Sequence, residues 1–215
     1  MRSIGLSNTL PKTNIASMRN GMLAFLAFLV AAFALPSRTS AGSNATTATG
    51  TYRDWNGDID EVTIVQPFRA VGYTNISVES FDTSGVSLPN PKDNTYEAVQ
   101  SALRLIKPAF IDGLVKKLRR RTGATVGGNT LVIRARLTKV DPGSQAARYW
   151  GGFGAGAVKI AIIGEIIDGR TEKTLVRFTQ ERRSGFGMFG GGYGELFTRT
   201  ARQIGGDVAT LINAF

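Results

Sequence analysis

Neither cysteine nor histidine occurs anywhere in the 215 residues. Without histidine there is no Ser-His-Asp triad, no imidazole acid or base and no histidine-held metal. The added absence of cysteine removes the usual zinc ligand sets, disulfides, a thiolate nucleophile and any cysteine that could carry a lipid. Acidic residues are the minority, 16 against 26 Lys and Arg, for a net charge of +10. Four of the basic residues and none of the acidic ones lie in residues 1–41, so the remainder carries 22 against 16, a net +6. A moderately basic balance of this kind suits anionic surfaces, and outside the cell those are lipid head groups and polyanionic glycans more often than DNA. The charge points to peripheral contact with an anionic membrane or glycan, with no nucleic acid and no metal expected.

The long apolar run, Met22 to Leu35, has 14 residues, short of the roughly 20 that cross a bilayer. Arg2, Lys12 and Arg19 precede it, and Pro36 and Thr39-Ser40-Ala41 follow. That is the pattern of a secretory signal peptide cleaved near Ala41, with Ala32-Phe33-Ala34 as a second option. Met18 opens a compact signal by itself, since MRNG leads directly into the run. The expected destination is periplasmic or secreted, without lipid attachment.

Residues 42–60, rich in Gly, Ser, Asn, Thr and Ala, read as a flexible lead too poor in apolar surface to order itself. A single domain is expected over 61–215. Glu61–Phe68 and Tyr73–Phe81 have strand composition, with Ile76, Val78 and Phe81 able to face a core. Asn94, with Glu97 three residues on, offers a capping box for a helix whose apolar stripe is Val99, Leu103, Ile106, Phe110, Leu114 and Leu118. Pro108 predicts a kink or break in it, and Gly123 a stop.

Beyond it, LVIRARLTKV alternates, with Leu131, Ile133, Ala135 and Leu137 on one face and Arg134, Arg136 and Thr138 on the other. Val158, Ile160, Ile162 and Ile166 mark a long strand, and Asp168-Gly169 leads into its hairpin partner, Thr174–Arg182, with Val176 and Phe178 on the core face. Glu195–Asn213 places Phe197, Ala201, Ile204, Val208 and Leu211 on one helical stripe. Gly205-Gly206 lowers helix propensity there, which predicts close backbone approach to a neighbour. The predicted class is α+β: a two-layer sandwich of a mixed, mostly antiparallel sheet with helices on one face, in the order β-α-β-β-β-α.

Gly185, Gly187 and Gly190 spell a G-x-G-x-x-G. Dinucleotide binding needs a βαβ unit behind that spacing, and only about twenty residues follow, all taken by one helix. Asp207 has the offset of a ribose-binding acid but lies in mid-helix. A second match, in Gly152–Ala157, precedes a strand, and no Walker lysine follows either run. No cofactor is expected. Glu165, Asp168, Glu172 and Glu181 flank the hairpin and read as a solvated face, and no catalytic residue is assigned. The basic cluster Lys116, Lys117, Arg119, Arg120 and Arg121 ends the first helix, where it complements the helix dipole. Arg148, Tyr149 and Trp150, beside Gly152, Gly154 and Gly156, are the candidate partner contacts: a pliant loop presenting aromatic side chains. The alternative function is anion or nucleotide binding at the Gly185–Gly194 loop and the following helix N-terminus, with Arg182 and Arg183.

VDPGSQAARYWGGFGAGAVKIAIIGEIIDGRTEKTL, from Val140 to Leu175, resembles the bacterial envelope family called domain of unknown function 4410 (DUF4410). The likeness lies in the glycine turn, the Ala-Arg-aromatic step, the Gly-Phe-Gly-Ala-Gly run, the long apolar strand and the Asp-x-x-Thr-like hairpin, and extends over about Tyr73–Phe215. It implies an exported bacterial protein of unsettled role, built like the small α/β domains of secretion and envelope-assembly lipoproteins. Many members look lipidated through a cysteine after the signal, which this chain lacks. The leading expectation is a non-enzymatic envelope protein that binds an envelope component or assembles with itself.

Overall fold

A computed structural model describes residues 47–118, 129–143, 157–184 and 192–215. All of these lie in the unit Ser37–Phe215. Six strands, β1 (Gly50–Trp55), β2 (Ile59–Ile64), β3 (Asn75–Asp82), β4 (Thr130–Asp141), β5 (Lys159–Asp168) and β6 (Thr174–Arg183), accompany two long helices, α1 (Tyr96–Lys117) and α2 (Tyr193–Asn213). They form one sheet in the order β1-β2-β6-β5-β4-β3. Only β3 and β4 run parallel, with α1 as the crossover between them, and the other four pairings are antiparallel. The α+β class and the mixed, mostly antiparallel sheet are as the sequence predicts.

The strand count at the N-terminal end differs. Within the segment read as a flexible lead, Gly50–Trp55 forms β1 and Ile59 opens β2, so the observed order is β-β-β-α-β-β-β-α. Two large apolar side chains decide this, since Trp55 and Ile59 are each only 1% exposed. Asn56-Gly57 between them supplies the turn with φ of 53° and 74°, the left-handed pair that Asn-Gly adopts at least cost. Gly57 and Asp58 donate their amides to the carbonyls of Asp54 and Trp55.

Alternation sorts the central strands as expected. Leu131, Ile133 and Leu137 of β4, Ile160, Ile162 and Ile166 of β5 and Val176 and Phe178 of β6 are buried on the helix-covered face. Ala135, Gly164 and Phe178 are neighbours in register. The Phe178 ring lies where Gly164 would carry a Cβ, 2.3 Å away. An aromatic here fills the hollow left by two small residues.

Helix α1 starts one residue later than the capping-box reading. Thr95, not Asn94, is the N-cap residue and makes no side-chain cap bond. Instead Asp93 Oδ1 accepts from both the amide and the hydroxyl of Thr95, at 2.8 and 2.6 Å. The buried face is Val99, Ala102, Ile106, Ala109, Phe110, Gly113 and Leu114, while Leu103 and Leu118 are half-buried. Pro108 sits on the exposed side of an unbroken helix. Gly123 lies outside the described residues.

The two helices meet backbone to backbone. A Cβ on Gly113 would fall 1.8 Å from the carbonyl oxygen of Arg202, and one on Gly205 would fall 2.0 Å from that of Phe110. This is the close approach that the glycine pair predicts. Buried Phe197, Ile204, Val208, Leu211 and Ile212 contribute about 2 kcal/mol each, which outweighs the roughly 1 kcal/mol of helix propensity lost at each glycine.

Substituting Gly205→Ala or Gly113→Ala should therefore lower the urea unfolding free energy by about 3 kcal/mol, the upper end of overpacking costs. Gly194→Ala, which has open space around it, should be neutral or stabilising by up to roughly 1 kcal/mol. Equal effects at all three sites would refute the close crossing.

Candidate functional site

Six of the expected contact residues, Arg148, Tyr149, Trp150, Gly152, Gly154 and Gly156, lie outside the described residues, as do Ala41 and Gly185–Gly191. What can be described is the framework around them. β6, which precedes the Gly185 run, is flanked on both sides by antiparallel strands, β2 and β5. The sheet position that a second parallel strand of a dinucleotide fold would take beside it is occupied. The two arginines of the alternative reading are engaged: Arg183 with Glu181 at 3.1 Å and Arg182 with Asp58 at 3.2 Å and with Asp207.

The carboxylates flanking the hairpin lie on or beside the uncovered sheet face and are matched to cations or donors one by one. Glu165 pairs with Arg177 at 2.9 Å, Glu172 with Arg134 at 2.9 Å, and Glu181 with Arg183 and with Lys139 at 3.6 Å. Glu79 shares Arg134, and Asp82 holds Arg136. Asp168 instead organises its turn: Oδ1 accepts from the amides of Arg170 and Thr171, and Oδ2 accepts the Tyr73 hydroxyl at 2.8 Å. The Thr171 amide and the Tyr73 hydroxyl hold its carboxyl below the ordinary value, while burial and Asp168 push the Tyr73 hydroxyl up to about 12.

The most unusual polar group is Asp207, in mid-helix on the buried side of α2 and 5% exposed. Its carboxylate accepts from Gln180 Nε2 at 2.7 Å and from the Arg182 guanidinium. Gln180 Nε2 also donates to the carbonyl of Asp58 at 2.9 Å. A knot of four polar residues thus joins the β1–β2 turn, β6 and α2. Burial raises the Asp207 carboxyl above its ordinary value, ahead of the opposing Gln180 bond and Arg182 charge. Beside the knot, Gly113, Lys116, Lys117, Arg182, Arg202 and Gly206 line a cleft of about 310 Å³ between the helices. Asp112 bridges its rim, to Arg202 at 2.5 Å and Lys116 at 3.0 Å, and both hold its carboxyl below the ordinary value.

Sequence reasoning singled out Asp207 only for its offset from the glycines and missed this role. A signal exists: Thr200, Ile204, Asp207 and Leu211 recur at spacings of four, three and four, so the acid falls on the apolar stripe. Gln180 likewise continues the Val176, Phe178 alternation into the core. Among the described residues no group of His, Cys, Asp and Glu could hold a metal ion, and no helix is long and apolar enough to cross a membrane.

A family model described as "Domain of unknown function (DUF4410)" matches residues 76–187. No curated protein matches the chain significantly. Solved structures with similar folds include the PelC dodecamer from Paraburkholderia phytofirmans (12% identity, covering 67% of this chain and 96% of that one, TM-score 0.37). Protein XCC0632 from Xanthomonas campestris is similar at 12% identity, with 68% and 88% covered and a TM-score of 0.38. The hypothetical protein CT253 from Chlamydia trachomatis is similar at 10% identity, with 65% and 98% covered and a TM-score of 0.32.

A carboxyl raised above its unfolded value contributes stability in full below about 3.8 and loses that contribution as the pH climbs through the raised value. Asp207→Asn stays neutral throughout. Urea midpoints of the two proteins compared between about pH 3.5 and 7 should therefore shift in the variant's favour as the pH rises. A constant difference would show that Arg182 cancels the burial.

Proposed function

The chain belongs to the DUF4410 family, and from that membership we propose that it is an exported, non-enzymatic module that binds a component of a bacterial envelope or assembles with copies of itself. The observation that carries the reading is the open sheet. Among the described residues no strand pairs with the outer edge of β1 or of β3, and one face is left to half-exposed charged side chains. Unpaired edges and an uncovered face are what a partner chain uses.

The charged groups of that face support the non-enzymatic part. Each carboxylate is tied to a cation or a turn amide, so none is placed to exchange a proton with a substrate. The leader, Met22–Leu35 with its basic lead and small-residue exit, supports export. Arg148–Gly156, between the ends of β4 and β5, is the proposed contact loop: small residues let a partner's backbone approach, and Tyr149 and Trp150 supply apolar area.

Removing Gly151–Gly156 from the exported chain should lower its mass by light scattering, or remove a partner recovered from envelope extracts, while circular dichroism stays unchanged. A chain that is monomeric and recovers nothing, or a folded deletion variant with every partner and the same mass, would overturn the reading.

A further inference from the structure

The cleft between the helices goes beyond the proposed assembly and does not depend on it. Four cations line it, Lys116, Lys117, Arg182 and Arg202, together with Gln203 and one acid, Asp207, which Arg182 and Gln180 engage. Three carboxylates answer them: Asp112 for Lys116 and Arg202 together, Asp58 and Asp207 for Arg182. Lys117 has no ion-pair partner among the described residues. Its stem lies across Gly206, with Lys117 Cδ 3.2 Å and Cε 3.4 Å from where a Cβ would stand. Gly206 presents bare backbone to the cleft at that point. Asp112 holds the Lys116 and Arg202 head groups to the same rim.

Complementing the C-terminal dipole of α1 is the ordinary use of lysines at its last turn. That dipole is equivalent to roughly half an elementary charge, less than Lys116 and Lys117 supply before Arg202 is added from the other helix. The volume of about 310 Å³ is at the small end of ligand pockets, which run from roughly 300 Å³ upward. Two ammonium groups and a guanidinium fork around so small a space suit an anion with several oxygens, each able to accept from a different donor.

We propose that this cleft binds a phosphate group, carried by a soluble phosphate ester or by a phospholipid head group, through Lys117, Lys116 and Arg202. Arg182 stays at the back of the site, held by Asp58 and Asp207. Gly206 leaves room for the Lys117 stem, which a Cβ there would press at 3.2 Å.

The test uses the full exported chain, inorganic phosphate titrated by calorimetry at constant ionic strength, and co-sedimentation with phosphatidylcholine vesicles with and without phosphatidylglycerol. Lys117→Gln and Arg202→Gln should weaken binding at least tenfold. Arg136→Gln, which removes the same charge from the opposite face of the sheet, should leave it unchanged. Lys117→Gln breaks no ion pair, so it decides the matter if Arg202→Gln fails to fold. Phosphate binding without vesicle binding assigns a soluble ester, and vesicle binding that requires phosphatidylglycerol and is lost in Lys117→Gln assigns a head group. Failure of the wild type to bind either probe saturably, or equal weakening in Arg136→Gln, overturns the proposal.

Discussion

The contact of α1 with α2 at Gly113 and Gly205 governs the rest of the molecule. At both points one helix places its bare backbone against a carbonyl of the other, so the two axes are brought closer than ordinary side chains allow. Both helices then fit side by side over the sheet, and the buried stripes of both reach one core. The same approach sets the width of the cleft beside Gly206 and brings Lys117 of one helix alongside Arg202 and Asp207 of the other. A helix pair separated by alanines would leave that side of the fold wider and the polar knot without its acid.

Most of the architecture could be read in advance because its elements are long and strongly patterned. The alternation through Leu131–Leu137, the hairpin at Asp168-Gly169 and the stripe Phe197–Leu211 fall where the structure has β4, β5–β6 and α2. The N-terminal hairpin was hidden by composition. Averaged over residues 42–60, Gly, Ser, Thr and Asn dilute two decisive side chains, Trp55 and Ile59, and the Asn-Gly turn between them. Polar content in a short strand pair says little when every second residue faces water. The N-cap at Thr95 shows the same limit at smaller scale: Asp93, Asn94 and Thr95 are all competent caps, and only packing of the preceding loop selects among them.

The site was less legible than the fold. Loop residues chosen for their chemistry, Arg148 to Gly156, owe nothing to periodicity, so no pattern ties them to a position. Asp207 and Gln180 do sit on patterns, but as exceptions to them. Each occupies a position that alternation or helical spacing reserves for an apolar side chain, and what makes it tolerable is a partner 27 residues away in the chain. Single-sequence reading detects the exception and has no means of supplying the partner. Of the carboxylates flanking the hairpin, Glu165 meets Arg177 as a direct cross-strand neighbour, which alternation does place, whereas the partners of Asp168, Glu172 and Glu181 come from turns, the same strand or a strand further off.

The position of β2 has a bearing on synthesis. Asp58 and Gln180, bonded in the finished protein, are 122 residues apart in the chain, and β2 reaches its place only by adding to β6. The first hairpin to leave a ribosome thus has no sheet to join until nearly all the rest has emerged, and closure entropy keeps such distant pairings late. The strand order thus leaves the earliest-made strands waiting for one of the last.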